Sequence, residues 1–367
     1  MSTKAVRNAV AARCRRVGDA LADVPADALL VTNPVDVSYL SGFTGEDSWL
    51  VVGKGKGVVI SDGRFLEEVE LECPDFTATI RRGSLVDALA KVVHRKRVTT
   101  LGYDPAYVSV ALLSDLRRGL KGVRLVRAPK VVSMLRVVKD RHEVMAIRRA
   151  VRVAEAGWKA MRRRLRMGMT EHDVAAELEH QMRRAGADGR AFPTIVAINA
   201  HAARPHAKPG RRQLKPGAVL LVDFGARVEG YVSDLTRVLF AARIAPRARA
   251  VYNVVRAAQA AAIDVVRPGI GVREVDAAAR LVIRKAGYAK EFGHGLGHGI
   301  GREVHEQPRL GPRGVTGCLE PGMVVTIEPG IYLRGRFGIR LEDDVLVTAK
   351  GRECLSGLEK DPDDLII

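Results

Sequence analysis

With 367 residues, 47% hydrophobic and 28% charged, the chain is long enough for two domains with cores of their own, and it has no apolar run long enough to span a membrane. Four cysteines, Cys14, Cys73, Cys318 and Cys354, stand far apart without a CxxC pair, which argues against a disulfide framework or a thiolate metal site and makes the cytoplasm the expected setting. The net charge of +18 raises the question of nucleic acid, but the excess is spread as +5 over residues 1–135 and +13 over 136–367, without a basic tail, so nucleic acid is not the expected partner.

In chain order, the first stretch carries five basic and no acidic residues before Asp19, which loosely imitates an organellar transit peptide. Val6, Val10, Val17 and Leu21 nevertheless sit at helical spacing and lead into the strand-like DALLVTN (27–33), so an ordinary amphipathic first helix is expected. SWLVVGKGKGVVISD (48–62) reads as a hairpin with GKG at its turn, and KRVTTLGYD (96–104) as a further strand. FLEEVELEC and SLVDALAKVVHR have helical periodicity, the latter with Leu85, Leu89, Val92 and Val93 on one side. Residues 1–135 thus read as one α/β domain and 136–367 as a second. The second opens on KDRHEVMAIRRAVRVAEAGWKAMRRRLRMG, one long amphipathic helix or two, whose MRRRLR cluster (161–166) follows Val153, Ala156 and Ala160 as a solvated face does.

An internal repeat organises this second domain. RMGMTEHDVAAELEHQMRRAGA (166–187) resembles RPGIGVREVDAAARLVIRKAGY (267–288): Gly168 matches Gly269, Val174 matches Val275, and Ala185-Gly186 matches Ala286-Gly287, all at an offset of 101. LKPGAVLLVD (214–223) then resembles LEPGMVVTIE (319–328) at an offset of 105. Each half runs helix, glycine turn, helix, loop, PG turn, apolar strand, and each strand ends in a carboxylate, Asp223 in one half and Glu328 in the other. Two such halves facing each other would bring those carboxylates together.

LLVDFGARVEGYVSDLTR (220–237) has two apolar runs about a turn near Glu229-Gly230, a hairpin in which Asp223 and Asp234 can lie opposite each other. Two ionised carboxylates inside an apolar stretch repel and are costly to desolvate, and a cation resolves both problems. The alternative is that Asp234 caps an element and Asp223 ends a turn. MVVTIEPGIYLRGRFGIRLEDDVLVT (323–348) repeats the arrangement, with Glu328 closing an apolar strand and Glu342 on the next. GHGLGHGIGREVHEQP (293–308) adds His294, His298 and His305 among five glycines; without a Glu between the first two it is no zincin helix. Four carboxylates with one imidazole suit two divalent cations of borderline character rather than calcium or magnesium alone.

The pattern resembles the Xaa-Pro aminopeptidase and Xaa-Pro dipeptidase (prolidase) branch of the pita-bread metallopeptidases. The resemblance rests on NPVDVSYLSGFTGEDSWLVV and SDGRF, on LRVVKDRHEVMAIRRA, and on FPTIVAINAHAARPHAKP, VDFGARVEGYVSDLTR, HGLGHGIGREVHEQP, TIEPGIY and GIRLEDDVLVT, nearly the whole chain. It implies a creatinase-like α/β domain before a duplicated α+β catalytic domain, and a dinuclear centre held by Asp223, Asp234, His298, Glu328 and Glu342, with Asp234 and Glu342 bridging. It further implies His206, His294 and His305 in the substrate site, with Glu328 as proton carrier, Arg340 supporting a ligand carboxylate and Tyr332 beside the bound peptide. The expected ions are two divalent metals, manganese first, then cobalt or zinc. The expected partners are a peptide with proline at its second position and a second copy of the chain, with no membrane. Arg309, four residues after His305, is a candidate for gripping the free carboxylate of a dipeptide. Phe65 stands where a tyrosine is usual, and Ala207 where a larger residue is frequent. The competing readings are another metal-dependent hydrolase on the same fold, and a binding module without catalysis.

Overall fold

The computed structural model describes residues 3–53 and 55–367. It divides into two compact units, Met1–Arg136 and Val137–Ile367. No helix among the described residues is long and apolar enough to cross a membrane.

The first unit is a six-stranded sheet, β1 (Ala28–Val31), β2 (Trp49–Gly53), β3 (Val58–Asp62), β4 (Thr77–Arg81), β5 (Thr100–Tyr103) and β6 (Arg124–Arg127), in the order β4-β3-β2-β1-β5-β6. Helices α1 (Thr3–Ala20), α2 (Pro34–Ser41), α3 (Leu66–Glu72), α4 (Leu85–Arg95), α5 (Val110–Gly119) and α6 (Val131–Leu135) complete it. Alternation along β1 sends Leu29 and Val31 into one core with Val17 of α1 and Leu40 of α2. Ala28 and Leu30 enter another with Leu89, Val92 and Val93 of α4. The first helix is therefore part of this unit's packing, and α4 presents the side expected of it. The hairpin pairs Trp49 with Ile60 and Val51 with Val58; Lys54 of its expected GKG turn lies outside the described residues. The strand expected over 96–104 starts only at Thr100, because Lys96 and Arg97, the latter at φ +56°, finish the exit from α4.

The second unit begins with one helix rather than two, α7 (Arg141–Arg162). Asp140 opens it, its Oδ1 accepting from Glu143 N at 3.0 Å while Glu143 Oε2 accepts from Asp140 N at 3.1 Å, a reciprocal cap. The first half continues with α8 (Glu171–Arg184), β7 (Gly189–Arg190), β8 (Ile195–Ile198), β9 (Val219–Phe224), β10 (Ala226–Val228), β11 (Tyr231–Val232) and β12 (Leu235–Phe240). The second half contains α9 (Pro246–Val265), α10 (Val272–Lys285), β13 (Gly297–Gly299), β14 (Glu306–Leu310), β15 (Val324–Ile327), β16 (Gly330–Leu333), β17 (Phe337–Arg340), β18 (Asp343–Thr348) and β19 (Gly351–Cys354).

The repeat holds at the level of single hydrogen bonds. Gly168 and Gly269 both sit in the left-handed region, at φ +90° and +79°, as do Gly186 and Gly287 at +105° and +85°. Gly168 N donates to Leu214 O and Gly269 N to Leu319 O, each at 2.8 Å. Both PG turns use a left-handed glycine, Gly217 at +82° and Gly322 at +91°. Each half's second strand then pairs antiparallel, β12 with β9 and β18 with β15. The halves share one core, in which Trp158 of α7 stacks on Phe224 at 5.2 Å.

Candidate metal centre

The first half delivers two carboxylates from a hairpin whose two-residue turn, Glu229-Gly230, has φ +51° and +77°, the mirror-image turn that matches strand twist. Asp223 is not directly opposite Asp234: its partner across the ladder is Thr236, and Asp234 lies two residues before Thr236. Side chains two apart on a strand share a face, so the aspartates meet diagonally. The second half delivers Glu328 and Glu342, each one residue outside the terminal Ile327–Asp343 pair of β15 and β18. His298 comes from β13.

Asp234, His298 and Glu342 each offer a ligand atom within 4.8 Å of the others, and all three are buried. His298 Nε2 lies 3.8 Å from Asp234 Oδ2 and 3.4 Å from Glu328 Oε1. Asp223 contacts Arg340, whose Nη2 donates to Asp223 Oδ2 at 2.7 Å, while Asp223 Oδ1 is buried without a hydrogen-bond partner. The five residues expected as ligands therefore converge on one place, with an oxygen left over for a cation.

The electrostatics favour the same reading. Burial, followed by the negative charges of Glu342, Asp223, Glu328 and Asp344, pushes the Asp234 carboxyl well above its ordinary value. Burial, then Glu328 and Asp223, does the same to Glu342, and burial raises Asp223 despite Arg340. At Glu328 burial also opposes ionisation, but the hydrogen bond and charge of His298 outweigh it and leave the carboxyl below its ordinary value. A pocket that resists ionisation of three carboxylates is one that a divalent cation would relieve.

Around this cluster runs a chain of donors. Tyr332 OH accepts from Arg340 Nη1 at 2.8 Å and lies 2.9 Å from His294 Nε2. His294 Nδ1 is 2.8 Å from Gly295 O, which can only accept, so in the neutral ring Nδ1 carries the proton and Nε2 accepts from Tyr332. Burial lowers the His294 pKa and pushes the Tyr332 hydroxyl up to about 12. His305 packs edge-on against His298, ring centres 4.4 Å apart, and burial, with His298 and Arg309 next, lowers its pKa. Arg309 stands opposite His298 across the β13–β14 ladder and is exposed. His206 is exposed in the loop after β8, within electrostatic reach of His305.

Sequence reading passed over the residues that support this cluster. Thr236 Oγ1 donates to Glu342 Oε2 at 2.7 Å and accepts from Arg340 Nε at 3.1 Å. Asp344 Oδ2 accepts from Asp234 N at 3.0 Å. Arg237, fully buried, donates through Nη1 to Thr236 O and Glu342 O and through Nη2 to Asp343 Oδ1, at 2.9, 2.7 and 2.6 Å. Three successive acids in LEDD, inside an apolar strand, were the available signal.

Comparison with known proteins shows the family of the chain. Residues 145–349 match the model of metallopeptidase family M24, and residues 13–138 that of the creatinase/prolidase N-terminal domain. The uncharacterized peptidase YqhT of Bacillus subtilis is 33% identical over 341 residues, 93% of this chain and 96% of that protein. Among solved structures, an Xaa-Pro dipeptidase from Bacillus anthracis superposes with a TM-score of 0.94 at 31% identity, covering 98% of this chain and 100% of the other. An X-Pro aminopeptidase from Thermotoga maritima gives 0.90 at 34% identity, over 95% and 100%.

Proposed function

The chain belongs to metallopeptidase family M24, with a creatinase/prolidase N-terminal domain and a pita-bread catalytic domain, and on that premise we propose that it hydrolyses the Xaa-Pro bond of dipeptides or of peptide N-termini. The observation that carries the proposal is the convergence of four carboxylates and His298 from two duplicated halves, with a buried oxygen of Asp223 left unpartnered. In this reading Asp223, Asp234, His298, Glu328 and Glu342 would hold two divalent cations, manganese by preference and cobalt or zinc as substitutes. Bound there, such ions would supply activation of a water molecule and polarisation of the scissile carbonyl.

The chain's own residues do the rest. Glu328 takes the proton from water and carries it to the prolyl nitrogen, which cannot leave unprotonated. His305, its pKa lowered, is neutral near pH 7 and donates an N–H to the carbonyl oxygen. Arg340 fixes Asp223 and, through Tyr332, His294, so that the imidazoles of His294 and His206 line the substrate wall. The same reading takes the chain as a cytoplasmic homodimer.

The test is product formation from Ala-Pro, Ala-Pro-Ala and Ala-Ala by protein stripped with chelator and reloaded with manganese, cobalt or zinc. Cleavage of Ala-Pro alone identifies a dipeptidase, and release of Ala from the tripeptide an aminopeptidase. Silence toward both proline substrates under every metal rejects the proposal. The structural neighbours include both activities; the position of Arg309 opposite His298 across the β13–β14 ladder favours the dipeptidase.

A further inference from the structure

We infer that Glu171 is a positioning residue, one buried carboxylate that fastens both ends of the loop carrying His206 and so fixes the substrate wall. The loop leaves β8 at Ile198 and returns by Gly210. Glu171 Oε1 accepts from Ile198 N and Oε2 from Gly210 N, each at 2.8 Å. His201 Nδ1 lies 2.9 Å from both oxygens, so it is the protonated nitrogen and a third strut from within the loop. The Glu171 side chain is fully buried.

The clasp is not a requirement of the helix it stands on. Thr170 and Asp173 already close the N-terminus of α8: Asp173 N donates to Thr170 Oγ1 at 3.1 Å and Thr170 N to Asp173 Oδ2 at 2.8 Å. The duplicated helix α10 begins with Val272 at the position equivalent to Glu171, at the repeat offset of 101, so the same helix pair is built without a carboxylate there. What differs between the halves is the loop. Its far side rests on β17: Ala202 O lies where a Cβ on Gly338 would come within 1.9 Å, and Arg340 Nη1 donates to Pro205 O at 3.4 Å. Arg340 is the same guanidinium that holds Asp223. Glu171 at the base and Arg340 at the tip thus register His206 against the metal cluster. A loop with both ends tied to one side chain keeps little freedom, and orientation of a substrate-contacting group is what such restraint supplies.

The inference rests on the Xaa-Pro reading for its substrate. Its test compares wild type with E171Q, in which one acceptor oxygen becomes an amide donor facing a backbone N–H. Three readouts are taken: steady-state kinetics on Ala-Pro, calorimetric manganese affinity of the stripped protein, and amide hydrogen exchange. The expected result is a KM raised about tenfold, as a loop held in its binding-competent register only about a tenth of the time would give, with kcat and manganese affinity unchanged. Amides of 199–210 should exchange faster while α8 stays protected. An unchanged KM, or kcat and manganese affinity falling together with it, overturns the assignment. Should E171Q fail to fold, H201A leaves both backbone bonds in place and should move KM and exchange the same way by less; no movement in either counts against the clasp. If wild type itself cleaves no Xaa-Pro peptide, the proposed function fails by that result alone, and unchanged exchange in the variant separately rejects the clasp.

Discussion

Thr236 and Glu342 join the two halves of the catalytic unit at its centre: Glu342 N donates to Thr236 O at 3.2 Å, and Thr236 Oγ1 donates back to Glu342 Oε2 at 2.7 Å. The hydroxyl also accepts from Arg340 Nε, so one oxygen orients both a candidate ligand and the guanidinium that holds Asp223. Thr236→Val keeps the shape and removes the hydroxyl. Outer-shell partners of this kind are worth roughly 10–100-fold in metal affinity. Manganese affinity of T236V, measured by calorimetry, should fall within that range; an unchanged affinity would show that Glu342 needs no such partner.

Raised carboxyl pKa values make the metal-free protein sensitive to pH in a defined direction. Asp234 and Glu342 ionise well above their ordinary values when folded, whereas in the unfolded chain they ionise near pH 4. Between those limits the folded state binds more protons than the unfolded, so this contribution to stability is lost as pH rises. Asp234→Asn removes one of the titrating groups. In chelator, D234N should therefore melt above wild type at pH 8, with the gap closing toward pH 4. Manganese should reverse the order by stabilising wild type more. A gap that is the same at both pH values would contradict the burial of ionisable Asp234.

The ligand candidates were legible because a cation needs several acids at one point, and the sequence repeats its acids at corresponding places of two similar halves. Their neighbours were not. Asp343 and Arg237 form a fully buried pair across 106 residues, and no local pattern links them. Among the elements of the first unit, β4 and β6 carry only partly buried or exposed side chains because they are the two edges of the sheet, so their alternation is weak. Helix α2 was hidden for the opposite reason: five of its eight residues, Asp36 and Ser41 included, are buried, which erases the polar face that marks a helix. The diagonal placement of Asp223 and Asp234 follows from where the ladder starts beyond the Glu229-Gly230 turn, a register that the spacing alone leaves open by two residues.

Arg237→Met leaves Asp343 buried with Gln259 Nε2 at 3.0 Å and the ammonium of Lys360 as partners, and strips the carbonyls of Thr236 and Glu342 of a donor. Breaking a buried ion pair from one side costs about 3–5 kcal/mol. Chemical denaturation of R237M should show a loss of this size. A loss under about 1 kcal/mol, the median for exposed pairs, would mean that Lys360 and Gln259 suffice.

Arg309 separates the two peptidase activities. It faces His298 across the ladder and its charge acts on His305, yet it is exposed, so without substrate it has the freedom to reach a carboxylate at the mouth of the site. A dipeptide presents that carboxylate one residue beyond the scissile bond, where a guanidinium can bind it through two parallel hydrogen bonds; a longer peptide presents a neutral amide there. Arg309→Ala should therefore raise KM for Ala-Pro about tenfold or more, given about 1.5–3 kcal/mol for a charged hydrogen bond, and leave KM for Ala-Pro-Ala nearly unchanged. Equal effects on both substrates would make Arg309 a general surface contact and remove the main support for dipeptidase over aminopeptidase. Loss of kcat with KM unchanged would instead place it with His305, acting on the carbonyl and not on the terminal carboxylate.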